Sequence, residues 1–261
     1  MSDRGCESLL ARTACILLFV GTGMACFPIC SSGQERQPRL DYARRNSFGI
    51  LAAYSPDSSH ILLGYAQKRK LVNLGISYSR RLLLDRVVDW QYDGEFLPVA
   101  LESDPLTAYV NQQTSPTPIT FTGRLPYSPV TCSPQSQTYS VTFNGVTYSG
   151  TQTEYCSGRQ WTIGEAISPV GLEWNFLPRR KIQPLVAGHG GYMYSTHPIP
   201  VGGAGSFNFI FDIDAGFEMF RTKTRSFRAE YRYHHISNDN TANQNPGIDS
   251  GLLQVSYCFG R

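Results

Sequence analysis

The sequence predicts an all-β protein, an eight-stranded antiparallel up-and-down transmembrane β-barrel. Three observations carry this prediction. Apolar and polar residues alternate with a period of two along eight segments, short and long connections alternate between those segments, and an apolar stretch typical of export signals lies near the N-terminus. Only 16% of the residues are charged and 12% are aromatic, which suits such a barrel. The net charge of +3 gives no indication of a nucleic-acid partner.

The first 30 residues have the features of a signal peptide. Arg4 and Arg12 precede an apolar run at residues 16–20, which is too short to span a bilayer as a helix but suits the apolar core of an export signal. The position of cleavage is left open. We therefore expect the barrel to occupy residues 31–261.

The alternation is clearest between Phe207 and Met219, where every second residue is apolar and the residues between them include Asp212, Asp214 and Glu218. Similar alternation predicts strands near residues 48–54, 72–78, 88–93, 170–176, 184–194, 227–234 and 253–259. The connections after the second, fourth and sixth strands are short and basic, whereas the others are longer. The longest is expected to form an extracellular loop at about residues 103–162.

Alternation alone does not determine which face points outward. A soluble barrel or sandwich would bury the apolar face, whereas a membrane barrel would turn it toward lipid. The membrane arrangement is favoured because the apolar face holds more aromatic side chains than a narrow eight-stranded interior can accommodate. The opposite face carries charges of both signs that could pair inside the barrel: Glu173, Asp212, Asp214 and Glu218 with Arg228 and Arg232.

The cysteines fit an exported protein. Cys132 and Cys156 bracket a polar stretch and are the natural disulfide pair in an oxidising compartment, while Cys258 is expected to be a small buried residue.

Residues 235–249 contain the candidate chemistry. His235 continues the parity of Tyr231 and Tyr233, so it is predicted to face lipid, and Ser237 shares that face. An imidazole beside a hydroxyl can accept its proton, which is the requirement for an activated serine. Asp249 starts the returning strand and is the acidic residue best placed to orient His235.

Asn238 and Asn245 lie in the connection between these two strands. Either side-chain amide could donate a hydrogen bond to a tetrahedral oxyanion. His234 has inward parity and is interpreted as structural. His189, His197, His234 and Asp239 have no recognisable metal-ligand spacing, so we expect no metal and no cofactor.

The motif His-x-Ser-Asn at residues 235–238, followed by Asn-Pro-Gly at 245–247 and an acidic residue at 249, resembles the outer-membrane lipid A 3-O-deacylases, the acyloxyacyl hydrolase-like family. The resemblance implies hydrolysis of an ester-linked acyl chain of lipopolysaccharide. It assigns the general base to His235, the nucleophile to Ser237 and the oxyanion donor to Asn245.

The sequence departs from the family pattern at two places. Asp249 stands where the known enzymes use Glu, and Asp239 and Asn240 replace residues that are usually small. Two other functions stay open at this point: a non-catalytic adhesin or structural barrel that acts through residues 103–162, and an esterase that acts on phospholipid. The sequence also leaves open a homodimer in the outer membrane.

Overall fold

The computed structural model describes residues 42–125 and 128–261, and the regular elements in these ranges are β-strands. The signal peptide predicted for residues 1–30 lies outside the described residues. In chain order the strands are β1 (Asn46–Ser55), β2 (Lys70–Leu84), β3 (Val88–Ser115), β4 (Ile119–Arg124), β5 (Gln135–Phe143), β6 (Val146–Phe176), β7 (Ile182–Ser195), β8 (Phe207–Thr222), β9 (Arg225–Ser237) and β10 (Ile248–Gly260). Within the described ranges, no helix is long and apolar enough to cross a bilayer.

Eight of these strands close into a ring. They are hydrogen-bonded in the order β3-β2-β1-β10-β9-β8-β7-β6, and β6 pairs with β3 to complete the barrel. The pairings of this ring are antiparallel. A closed ring leaves no unpaired strand edge, which allows a β-sheet to lie in hydrocarbon. The predicted eight-stranded barrel is confirmed.

The outer wall is apolar because one face of each strand carries the large hydrophobic side chains. The side chains of Asn208, Ile210, Asp212, Asp214 and Glu218 on β8 are buried, whereas the alternate positions are exposed and include Phe207, Phe209, Phe211, Ile213, Phe217 and Met219. Exposed apolar side chains on this scale are stable when their solvent is lipid.

The inner face is polar and many of its charges are paired, as predicted. Arg228 contacts Glu173 at 2.5 Å, and Arg232 contacts Asp214 at 2.5 Å and Glu95 at 2.7 Å. All five side chains are buried. Charges removed from water need such partners, so the network fills the lumen at a lower free-energy cost than isolated charges would.

The segment expected to be a long loop, residues 103–162, is largely β-structure. β3 and β6 continue as a pair beyond the ring, and β4 and β5 add to their outer edges. We call residues 105–158 the arm. The predicted Cys132–Cys156 disulfide is present and ties the segment before β5 to β6, while Cys258 is buried and free, as expected.

Candidate active site

The candidate site lies where β9 ends and β10 begins. Asp249 is directly opposite His235 in the register of these two antiparallel strands. His235 Nδ1 lies 2.7 Å from Asp249 Oδ1, a hydrogen bond of ordinary length. The short side chain of Asp249 reaches the imidazole of His235 because the two residues are cross-strand partners, whose Cβ atoms lie within about 5.5 Å of each other. The bond occupies Nδ1 and leaves Nε2 as the nitrogen that can accept a proton.

Asp249 is held by three further donors. The hydroxyl of Tyr233 donates to Oδ1 at 2.9 Å, and the backbone N–H groups of Leu62 and Leu63 donate to Oδ2 at 2.6 and 2.8 Å. The Asp249 side chain is fully buried. These bonds favour the ionised carboxylate and fix its plane, so that one oxygen faces His235.

The three donors come from two parts of the chain, and only one of the three is predictable from the sequence. Tyr233 lies on the same face of β9 as His235, so strand parity could have identified it. Leu62 and Leu63 belong to the connection between β1 and β2, residues 56–69, and contribute only backbone amides. No side-chain pattern could have identified them.

Two glycines allow this connection to approach β10 closely. A Cβ atom on Gly64 would lie 2.6 Å from the backbone N of Asp249, closer than real Cβ contacts occur. Gly247 has a φ of 61°, the left-handed region that glycine adopts without strain. A Cβ there would lie 3.2 Å from Cε1 of His235. The two glycines therefore permit the packing between residues 56–69 and the His235–Asp249 pair.

Ser237 is the last residue of β9 and shares the outer face with His235. Both residues are partly exposed, and Ser237 pairs with Phe209 while His235 pairs with Phe211 on β8. In the described part of the chain, the Ser237 hydroxyl makes no hydrogen bond of 3.5 Å or less. Hydrogen bonds between a nucleophile and its base are often loose before substrate binds. The hydroxyl is free to contact an incoming ester.

The two candidate oxyanion donors differ in how they are bonded. Asn238 is buried, and its side-chain amide donates to the backbone oxygen of Gln244 at 2.7 Å. Its backbone N–H donates to Oδ1 of Asn245 at 3.1 Å. Asn238 therefore organises the connection, whereas Asn245 is partly exposed and is held through its oxygen. The side-chain nitrogen of Asn238 is therefore already engaged, whereas among the described residues no hydrogen bond engages that of Asn245.

The inner face at the same height has its own carboxylate–histidine contacts. His234 Nδ1 bonds to Asp212, and both residues are buried.

A second cluster in the lumen is a candidate metal site. Ligand atoms of Asp93, Glu95 and His189 lie within 4.8 Å of one another, an arrangement that could hold a metal ion. The two ring nitrogens of His189 already contact Asp214 and Asp93, at 2.9 and 3.3 Å, and Arg232 donates two bonds to Glu95. We interpret these groups as part of the ion-pair network.

A family model described as lipid A 3-O-deacylase (PagL) matches residues 124–258, just over half of the chain. The matched span contains His235, Ser237 and Asp249. The chain belongs to the lipid A 3-O-deacylase family. Membership identifies it as a hydrolase of the outer membrane that acts on lipid A, and it confirms the resemblance found in the motif at residues 235–249.

The chain is also similar to several solved structures. The outer membrane enzyme PagL is 12% identical, with 82% of this chain and 99% of that chain covered and a TM-score of 0.45. Neisserial surface protein A is 12% identical, with coverages of 83% and 97% and a TM-score of 0.42. OprG from Pseudomonas aeruginosa is 10% identical, with coverages of 85% and 99% and a TM-score of 0.36. Among curated proteins, none matches the chain significantly.

The departure from the lipid A 3-O-deacylase pattern at residues 239–240 has a conformational basis. Asp239 and Asn240 have φ values of 48° and 61°. Asp and Asn tolerate the left-handed region better than other residues with a side chain, because their short polar groups bond locally. The chain thus keeps the turn that a small residue would make, and the Asn240 N–H donates to Oδ1 of Asn238 at 3.0 Å.

Proposed function

We propose that this lipid A 3-O-deacylase works as a serine esterase with Ser237 as the nucleophile, His235 as the general base and Asp249 as the orienting acid. The observation that carries the proposal is the 2.7 Å contact between His235 and Asp249 on the outer wall, with Ser237 two residues away on the same face. A carboxylate bonded to Nδ1 fixes the imidazole and stabilises its protonated form during the reaction.

The position of the site favours a lipid substrate. The neighbouring outer-face residues Phe209, Phe211 and Tyr231 are exposed toward hydrocarbon. An acyl chain can lie against this wall while its ester reaches the strand end that carries Ser237. A solute in the lumen would meet His234 and the paired charges instead, because strand parity puts His235 and Ser237 on the opposite face.

The proposed reaction has two steps. Nε2 of His235 takes the hydroxyl proton as Oγ of Ser237 attacks the ester carbonyl, and the amide of Asn245 donates to the developing oxyanion. The imidazolium then protonates the departing sugar oxygen, which releases the sugar hydroxyl and leaves the acyl group on Ser237. In the second step His235 takes a proton from water, the hydroxide attacks the acyl carbonyl, and Ser237 recovers its proton.

The test uses the purified full-length barrel with lipopolysaccharide, followed by mass spectrometry of lipid A and of the released fatty acid. We expect the wild-type protein to remove an ester-linked acyl chain and Ser237→Ala to leave lipid A intact. Equal acyl loss with Ser237→Ala would contradict the proposal. Phospholipid vesicles are offered in parallel, and faster release from them would indicate a phospholipid esterase. No release from either lipid would favour a non-catalytic barrel that acts through its arm.

A further inference from the structure

Residues 56–69, the connection between β1 and β2, run along the beginning of β10. Ser58 and Ser250 form an isolated antiparallel bridge. Farther along, Tyr65 N–H donates to the backbone oxygen of Pro246 at 2.7 Å, and Ala66 N–H donates to that of Gly247 at 3.0 Å. We call residues 60–65 the tip of this connection. The contacts on both sides of the tip hold it against the beginning of β10, the strand that supplies Asp249.

The tip is apolar and exposed. Ile61, Leu62, Leu63 and Tyr65 expose 48%, 65%, 52% and 58% of their surface. The tip carries no Asp, Glu, Lys or Arg. The ring of His60 stacks on Tyr65 with centroids 4.6 Å apart, and its Nδ1 bonds to the backbone oxygen of Gly64 at 2.7 Å, which closes the turn. Four large apolar side chains on a closed turn form a surface that is unfavourable in water and favourable against lipid.

The same tip contacts the candidate triad. The backbone amides of Leu62 and Leu63 hold Oδ2 of Asp249, while the other carboxylate oxygen holds His235. Each of these leucines thus has its backbone in the site and its side chain on the exposed apolar surface. A lipid that binds these side chains would restrain the two amides that orient Asp249.

We propose that Ile61, Leu62, Leu63 and Tyr65 bind an acyl chain of the lipopolysaccharide substrate, and that this contact couples substrate binding to the orientation of Asp249. The proposal rests on the proposed function for the role of Asp249. The occupant is the substrate's acyl chain because the apolar surface adjoins the reacting groups, where an ester-linked acyl chain has to lie while its ester contacts Ser237. The tip is then both a specificity-determining surface and a positioning element for the triad.

The test compares two matched double variants of the full-length protein. Leu62→Ser with Leu63→Ser changes the tip but keeps both backbone N–H groups. Leu82→Ser with Leu83→Ser changes two leucines of similar exposure at the end of β2 near the short turn into β3. Lipopolysaccharide binding is measured in a Ser237→Ala background, where turnover does not interfere. Each leucine that loses lipid contact weakens binding, so we expect Kd to rise about tenfold for the tip variant and to stay at the parent value for the control.

A second measurement, the dependence of kcat/KM on acyl-chain length, distinguishes a loss of acyl-chain specificity from a general loss of folded protein. In the active protein, kcat/KM for p-nitrophenyl esters is expected to rise from butanoate to dodecanoate. The tip variant is expected to lose most of this rise, whereas Leu82→Ser with Leu83→Ser keeps it. Unchanged Kd and an unchanged chain-length dependence in the tip variant would overturn the inference.

The same measurements distinguish a failed inference from a failed mechanism. If Ser237→Ala retains esterase activity, the proposed triad is wrong. The comparison of Kd between the tip variant and its parent then still tests whether the tip binds an acyl chain. If Ser237→Ala is inactive but the tip variant equals the parent in both readouts, the triad stands and the inference is overturned.

Discussion

His234 and His235 are consecutive residues of β9, and each bonds through Nδ1 to an aspartate on a neighbouring strand. His234 meets Asp212 of β8 inside the barrel, and His235 meets Asp249 of β10 on the outer wall. The inner pair is buried beside Arg232, which lies 3.6 Å from Asp212. The outer pair has Ser237 on its own face and lipid-facing aromatic residues around it.

The comparison shows that a carboxylate–histidine contact does not make a site by itself. Strand parity places the two imidazoles on opposite faces of one sheet. The inner imidazole lies among buried ionisable side chains, whereas the outer one shares its face with the hydroxyl group of Ser237 and lies beside exposed aromatic residues. We therefore expect substitutions of the outer residues to lower activity without unfolding the barrel, and substitutions of the inner residues to do the opposite.

The largest expected effect is that of His235→Ala. Removing the general base should lower kcat/KM for lipopolysaccharide by about 10⁵-fold or more. Because His235 is partly exposed on the outer wall, the heat-modifiable mobility of the folded barrel on gels should not change. Activity is measured by fatty-acid release. A fall of less than tenfold would contradict the role of His235 as the base.

Asp249→Asn should follow, with a decrease in kcat of up to about 10⁴-fold, because an amide can hold the imidazole in the wrong tautomer. Asp212→Asn is the matched change on the inner face, and it should leave kcat of the folded protein within a few-fold of the parent value.

The variant Asp249→Glu introduces the residue that is typical of the family, and we expect it to be less active than the parent protein with Asp249. Its longer side chain would disturb the two bonds from Leu62 and Leu63. An equally active Glu variant would contradict that role of the loop amides.

His234→Ala should affect stability more than catalysis. It removes a hydrogen-bond partner from the buried Asp212, and leaving a buried polar group without its partner costs about 1–3 kcal/mol. The measurement is the urea midpoint of the purified barrel in micelles, with His235→Ala as the control. If His235→Ala proved the more destabilising variant, the division of roles between the two faces would be wrong.

The smallest expected effect is that of Tyr233→Phe. Loss of one hydrogen bond to Asp249 should lower kcat about two- to tenfold, with KM nearly constant. Tyr231→Phe provides a control on the same face, because its hydroxyl lies over Gly251 and is not among the groups that bond to Asp249 in the described residues. Equal rates for the two variants and the parent would show that Tyr233 does not position Asp249.

Much of the site could be predicted from sequence because strand parity and cross-strand register are simple rules. Parity placed His235 and Ser237 on one face, and the Asn-Pro-Gly turn placed Asp249 beside β9. The contribution of Leu62 and Leu63 could not be predicted, because backbone amides leave no side-chain pattern and these residues are 187 and 186 positions from Asp249.

The strands of the arm were missed for a different reason. Apolar alternation identifies strands that have one apolar face, whereas the arm has polar residues on both faces. β5, for example, reads Gln-Ser-Gln-Thr-Tyr-Ser at residues 135–140 and is mostly exposed. Outside the bilayer neither face needs to be apolar, so the signal that identified the barrel strands is absent there.

The central claim is that Ser237 is a nucleophile activated by His235 and not by its neighbour His234. A biotinylated fluorophosphonate with an alkyl chain, which reacts with activated serines, tests it directly. Tryptic mass spectrometry should find the label on Ser237 in the wild-type protein and in folded His234→Ala, and labelling should be lost in His235→Ala. Labelling of another residue, or equal labelling of Ser237 in His235→Ala, would contradict the account.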